Sequence, residues 1–386
     1  MIYLDHNSTT PIAPEVAQAM AECHAAGYLN PASQHQLGRK ARRRLEEARE
    51  GIAEILGAKT TGMDADQVIF TSGGTEANNL ALFGLCARRD AHATLVISSI
   101  EHPSVVGSAE ELARRGWTLE RLRVSSDGVV EMSHVETLLA ASTSAPCPRL
   151  LSLMLGNNET GVLQPVRDIA ALCQEAGTLI HTDAVQVAGK MPIDFRGQGV
   201  DALTITAHKF HGPRGIGALV VKHGVELSPL LHGGFQQAGW RPGTEDVALA
   251  VGMLTALRLC HHEMEARTNH MTQLRDEFER RILEGDPAAI VNGAAIPRLP
   301  HTSNISFPGI DRQALLMALD VAGIACSTGS ACASGSSDPS PVLVAMGCSE
   351  EVISGSLRFS LGATTTTAEI DEAVRRILLV INQLRR

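Results

Sequence analysis

The sequence predicts an α/β fold, with a mostly parallel sheet in a large domain and a smaller α+β domain beside it. Three observations carry this. Short apolar runs alternate with segments of helical spacing through the first two thirds of the chain. At 386 residues the chain exceeds what one ordinary core holds. The last third changes character, with isolated strand-like runs set among helices.

In chain order, residues 68–70, 95–97, 150–155, 178–180, 202–206 and 218–221 read as buried strands. Continuous apolar runs of this length suit a sheet covered on both faces. Residues 104–115 and 166–176 carry helical spacing between them. A long helical stretch, 244–283, bridges two domains, the large one expected at 13–257 and the small one at 1–12 with 258–386. The small domain reads as a strand around Ile305, a helix over 312–322, a strand around Leu357 and a helix over 367–384. Residues 326–341, rich in Ser, Gly and Ala, form the most loop-like segment, and Cys332 lies inside it.

Hydrophobic residues at 44% and charged residues at 19% describe an ordered globular chain. A net charge of −9 and 3% aromatic residues argue against direct nucleic-acid binding. No apolar run reaches membrane length, and residues 1–6 lack an export signal, so a cytoplasmic location is expected. The eight cysteines are Cys23, Cys86, Cys147, Cys173, Cys260, Cys326, Cys332 and Cys348. None forms a C-x-x-C pair, so no closed metal site is expected. All except Cys332 read as small buried hydrophobes.

Lys209 follows the strand 202–206 and precedes a glycine-rich turn, Gly212-Pro213-Arg214-Gly215-Ile216-Gly217. That places it at the carboxyl edge of the sheet, where α/β folds present groups to a ligand. Desolvation there lowers a lysine's pKa and makes its amine reactive toward an aldehyde. Alone, Lys209 reads as a surface lysine at a strand end. Asp183 ends another strand, where a carboxylate can keep a pyridine nitrogen protonated. Gln186 and Asn158 can donate to a phenolic ring oxygen. Gly73 and Gly74 precede a helix whose free N–H groups suit a phosphate, with Thr75, Thr206 and His208 as further donors. His102 can stack on a flat ring. Singly, Asp183 reads as a helix cap, His102 as a core histidine and the glycines as a turn. Jointly, these strand ends converge on an aromatic, phosphorylated aldehyde, pyridoxal 5'-phosphate. The turn at 212–217 does not have the spacing of a dinucleotide fingerprint.

The words Ser72-Gly73-Gly74-Thr75-Glu76-Ala77-Asn78-Asn79, Glu101-His102, Asn157-Asn158-Glu159, Asp183-Ala184-Val185-Gln186, His208-Lys209 and Ser330-Ala331-Cys332 resemble the NifS/IscS-type cysteine desulfurases of the class V aminotransferase family. The likeness runs from Tyr3-Leu4-Asp5 and Thr9-Thr10-Pro11 to Arg358-Phe359-Ser360-Leu361-Gly362. It implies a fold type I, aspartate aminotransferase-like architecture and a homodimer in which Thr244 reaches the phosphate of the neighbouring subunit. It also implies conversion of L-cysteine to L-alanine, with Lys209 taking the Cα proton and His102 stacking on the ring and shuttling a proton. Sulfur would leave as a persulfide on Cys332 for an acceptor protein, an iron–sulfur scaffold or a thiolation carrier. Arg358, a lone charge in an apolar run, reads as an ion-pair partner or as a carboxylate clamp. The matching family position binds the substrate's α-carboxylate, with Asn158 in the same substrate site. An aminotransferase or β-lyase would use Lys209, Asp183 and Arg358 but leave Cys332 without a task. A selenocysteine lyase is a closer alternative and stays open.

Overall fold

Seven strands form the central sheet of a computed structural model that describes residues 1–87, 93–140, 148–329 and 338–385. Cys147 and Cys332 lie outside the described residues. The chain opens with β1 (Ile2–Tyr3), α1 (Pro14–Ala25) and α2 (Gln36–Ile55). The alternating part follows: β2 (Gln67–Thr71), α3 (Gly74–Leu85), β3 (Thr94–Ser98), α4 (Pro103–Arg114), β4 (Thr118–Leu122), α5 (Met132–Ala140), β5 (Leu150–Ser152) and α6 (Val166–Ala176). It closes with β6 (Leu179–Asp183), α7 (Phe195–Gln198), β7 (Ala202–Thr206) and β8 (Gly217–Val221). The remainder is α8 (Val247–His262), α9 (Met264–Gly285), β9 (Ile290–Val291), β10 (Thr302–Ser306), α10 (Arg312–Val321), β11 (Ile324–Ala325), α11 (Pro341–Ala345), α12 (Glu350–Ser354), β12 (Ser356–Ser360) and α13 (Thr367–Leu384).

The large sheet runs β2-β8-β7-β6-β5-β3-β4. All its pairs are parallel except those of β8, which is antiparallel to β2 and β7. Side chains alternate between two buried faces. Ile69, Leu95, Ile97 and Leu219 share a core with Leu80 and Leu85 of α3 and Val105 of α4. Val68, Phe70, Val96 and Val220 face Leu45 and Ile52 of α2, Ile169 of α6 and Leu254 of α8. With both faces covered, the strands read as continuous apolar runs.

A second core gathers Leu4, Phe278, Phe307, Leu315, Phe359 and Ile377 around the sheet β12-β10-β9 and the pair β1-β11. Helix α13 begins with a reciprocal cap between Thr366 and Glu369. The split expected at residue 257 is not clean, because Val342, Leu343 and Ile353 of α11 and α12 pack into the large core.

Two expected elements differ. The run 150–155 pairs on both sides only to Ser152. Beyond it, Leu153 and Leu155 still donate to His181 and Asp183 carbonyls of β6, but β3 has ended at Ser98. The helix expected over 244–283 is two helices meeting at Glu263, whose φ of −105° closes α8 and opens α9. No Gly or Pro marks the break. Cys23, Cys86, Cys173 and Cys260 are buried, whereas Cys326 and Cys348 are half-buried. Among the described residues, no helix is long and apolar enough to cross a membrane.

Gly217, opening β8, lies against the backbone of Gly73, where an added Cβ would come within 2.6 Å of the Gly73 carbonyl carbon. Gly217→Ala is expected to cost about 1–3 kcal/mol through backbone displacement. Thermal unfolding checks it; an unchanged midpoint would remove the close approach.

Candidate active site

The carboxyl ends of the parallel strands open onto one cavity of about 230 Å³. Gly74 and Thr75 enter it from the start of α3, His102 from the loop after β3, and Asn158 from the loop after β5. Asp183 and Gln186 come from the end of β6, and Thr206, His208 and Lys209 from the end of β7. Nine residues singled out in sequence thus meet at one place, because parallel strands point all their carboxyl ends the same way.

A chain of hydrogen bonds lies on one side of the cavity. Asn78 donates to Asp183 Oδ2 at 2.7 Å and to Ser104 Oγ at 2.8 Å. Ser104 Oγ lies 2.8 Å from His102 Nδ1, which also accepts from the Ser104 backbone N–H. With Nδ1 accepting, the pattern assigns the ring proton to Nε2. Burial lowers the pKa of His102, against the opposing pull of Asp183. Asp183 Oδ1 accepts from Val185 N–H at 2.9 Å, so its carboxylate is fixed from both oxygens. Asn78 and Ser104 had no assigned role in sequence; Asn78 stands inside a quoted word, and that was the signal available.

The other side is the N-terminal segment after β1. Lys209 Nζ donates to the backbone carbonyl of Asn7 and, at 2.9 Å, to that of Ser8. Gln186 Nε2 donates to the same Asn7 carbonyl at 3.0 Å. The Asn7 side chain ties to Thr302 Oγ1 and to the Asn158 carbonyl, joining β10 to the cavity wall. Asn7 and Ser8 lacked any sequence signal, since they act mainly through backbone oxygens.

Two expected residues lie elsewhere, and one lines the cavity differently. Arg358, in β12, is buried behind Asn158 rather than in the cavity wall. Its Nη2 pairs with Asp5 Oδ1 at 2.9 Å and meets Ser8 Oγ at 3.0 Å; Nη1 donates to the Asn158 carbonyl at 3.0 Å. In this conformation the ion-pair reading of Arg358 holds. Thr244 is exposed outside the cavity, near Ser72 and Arg241. Thr206 lines the cavity, but its hydroxyl donates to the Ile216 carbonyl at 3.0 Å, so it contributes shape rather than a donor. Cys332 is outside the described residues; of its flanks, Gly329 approaches Glu159 and Ser340 donates to Glu159 Oε2 at 2.6 Å.

The donor set fits pyridoxal 5'-phosphate. Helix α3 starts at Gly74 with no side-chain cap, leaving its first N–H groups for an anion. A Cβ on Gly74 would stand 3.1 Å from Val185 and 3.6 Å from Thr206, inside the cradle. His208 meets Thr9 Oγ1 through Nδ1, and its pKa is pushed down to about 4 by burial, then by Lys209, Lys190 and Arg214. At neutral pH it is therefore an uncharged imidazole. The Asn158 side chain makes no hydrogen bond among the described residues and remains available to a ligand.

A family model described as aminotransferase class-V matches residues 2–373. The cysteine desulfurase NifS of Azotobacter vinelandii is 37% identical over 384 residues, covering 100% of this chain and 93% of that protein. The cysteine desulfurase IscS of Dictyoglomus turgidum is 38% identical, covering 100% of this chain and 95% of the other. A solved structure described as SspA in complex with cysteine superposes with a TM-score of 0.80 at 32% identity, over 95% of this chain and 100% of that one.

Glu101, fully buried, accepts from Ser98 Oγ and from Met154 N–H, holding the β5 loop against the cavity. Burial, with Asp183 nearby, pushes its carboxyl up to about 8. A carboxyl with a raised folded-state pKa contributes most stability at low pH and loses it as pH rises from about 4.5 to about 8. The melting temperature of the protein relative to its Glu101→Gln variant is expected to fall by several degrees across that window. A flat difference would contradict the raised pKa.

Proposed function

We infer that this chain, which belongs to the class-V aminotransferase family, is a pyridoxal-phosphate-dependent cysteine desulfurase that converts L-cysteine to L-alanine. The observation that carries the reading is the meeting of Lys209, Asp183 and the uncapped start of α3 at one cavity. Bound there, pyridoxal phosphate supplies an aldehyde for the substrate amine and a pyridinium ring that accepts the electron pair released at Cα.

The chain's own residues do the rest. Asp183, oriented by Asn78 and the Val185 N–H, holds a proton on the ring nitrogen. The α3 N–H groups, Thr75 and His208 grip the phosphate. Gln186 and Asn158, both in the cavity wall, would donate to the ring oxygen. Lys209, steered by the Asn7 and Ser8 carbonyls, moves the Cα proton. His102 would stack on the ring and carries an Nε2 proton that it could pass on. Arg358 exchanges Asp5 for the substrate's α-carboxylate, as a planar guanidinium suits a two-oxygen anion.

Sulfur removal is assigned to Cys332. Its thiolate attacks the substrate sulfur; an S–S bond forms, the Cβ–S bond breaks with its electron pair staying on carbon, Cβ takes up one proton and Cα takes back the one it lost, giving alanine. The persulfide then passes to an acceptor protein of the iron–sulfur assembly or thiolation kind, in the cytoplasm. We further read the protein as a homodimer in which Thr244 serves the neighbouring phosphate. What supports this is the exposure of Thr244 and the pairing of Arg241 in the same segment with Glu76 of α3, at 2.8 and 3.3 Å.

Lys209→Ala is expected to abolish the visible absorption of the bound cofactor and to lower turnover by about 10²–10⁴-fold or more. Cys332→Ala is expected to keep the absorption and lose alanine and sulfide formation from cysteine. Normal turnover in that variant would sink the sulfur-carrying assignment and favour a β-lyase or aminotransferase.

A further inference from the structure

One buried group has no task in the chemistry above. Lys190 ends the turn that follows β6 and is only 5% exposed. Its Nζ makes one hydrogen bond among the described residues, 3.2 Å to Gln186 Oε1. No described carboxylate pairs with it. The titratable and charged groups that face it are Lys209 and His208 after β7, His211 beyond them, Cys260 of α8, His6 of the N-terminal segment, His301 before β10 and Arg358 of β12. A lysine buried among cations and neutral rings is costly to keep, and apolar residues of similar size would pack there without that cost. Such local violations mark functional positions.

The geometry says what the lysine does. Gln186 and Lys190 stand four residues apart on one turn, closed by Val187 N–H to Ala184 O and Lys190 N–H to Val187 O, both at 3.0 Å. Gly189, at φ +73°, seats this turn against the chain just past Lys209, since a Cβ there would meet Phe210 Cβ at 2.4 Å. A glutamine amide has an oxygen face and an N–H face, and a neighbour decides which points where. Here a lysine donor takes Oε1 and Nε2 is drawn to the Asn7 carbonyl, which leaves Nε2 a second N–H uncommitted among the described residues, in a side chain that lines the cavity. The Asn7 carbonyl also accepts from Lys209. One path of contacts therefore runs from Lys190 through Gln186 and Asn7 to the cofactor-holding lysine.

We propose that Lys190 is a positioning residue for the cofactor's ring oxygen, acting through the side-chain amide of Gln186. The proposal rests on the cofactor reading given under Proposed function. A donor held against an anionic oxygen stabilises that anion. Releasing Gln186 weakens the donor and favours the protonated form of the bound chromophore, so the pH at which its visible band changes moves upward.

The test is a pH titration of that band in the cofactor-loaded protein, with cofactor content and thermal melting measured alongside. Lys190→Met removes the donor and keeps the shape. It is expected to retain full cofactor content and to raise the midpoint by about half a pH unit or more. Gln186→Leu should raise it on its own account, and adding Lys190→Met to it should change nothing further, because the lysine acts only through the amide. Lys190→Gln guards against loss of folding: it keeps a donor without a charge and should shift the midpoint in the same direction by less. No shift in whichever variant folds overturns the proposal. So does an equal shift with and without Gln186, which would make Lys190 a general electrostatic or packing element. A wild-type protein with no visible band would overturn the cofactor reading itself, a result distinct from an unmoved midpoint.

Discussion

The hydrogen bonds from Lys209 to the backbone carbonyls of Asn7 and Ser8 are the contact on which the site depends. They join a residue at the end of β7 to the N-terminal segment some two hundred positions earlier. That segment leaves the small core at Leu4, forms a bridge from Asp5 to Ser360 beside β12, and enters the large unit where Thr10 N–H donates to the His208 carbonyl. A short stretch of extended chain thus belongs to both cores. Its carbonyls face inward, and a buried carbonyl is costly unless a donor meets it. Lys209 and Gln186 supply donors to the Asn7 and Ser8 carbonyls, and Arg358 donates to the Ser8 hydroxyl, so three different elements hold the stretch in place.

The proposed substrate grip sits on the same seam. Arg358 is held by Asp5, Ser8 and the Asn158 carbonyl, while its buried Nε has no partner among the described residues. A guanidinium held this way is preorganised beside the cavity wall, one layer behind Asn158. Ser327 pairs with Arg358 through the backbone, and Ser340 is tied to Glu159, the neighbour of Asn158. Both described flanks of the segment containing Cys332 are therefore rooted in groups that border the cavity. The proposed carboxylate grip and the proposed sulfur carrier share one support.

The orientation of the groups in the cavity is set by buried neighbours, some in its wall and some behind it. Asn78 aligns Asp183, Ser104 fixes the tautomer of His102, Glu101 holds Met154, and Lys190 fixes the amide of Gln186. Each is buried, so its hydrogen bonds meet little competition from water and hold direction firmly. Among these, Ser104, Glu101 and Lys190 carried no role in sequence. Glu101 and Lys190 reach the cavity only through another group, and a residue that acts at second hand leaves no pattern of its own along the chain; Ser104 lines the cavity but reads in sequence only as the start of a helix.

By itself the sequence determined the alternation of strands and helices, the extent of α13, the placement of Lys209, Asp183, His102 and Gly74 at strand or helix ends, and the cofactor they converge on. Those follow from periodicity and from the chemistry of strand ends, both local properties. Tertiary structure alone decided the break at Glu263, the early end of β5, the commitment of the Thr206 hydroxyl to Ile216, the packing of α11 against the large core and the ion pair of Arg358 with Asp5. It also decided that Asn7 and Ser8 would hold the lysine. Local propensity is silent on these because each is a hydrogen bond or packing contact set by which distant segments the fold brings together, and hydrogen-bonding capacity alone does not say which partner will arrive.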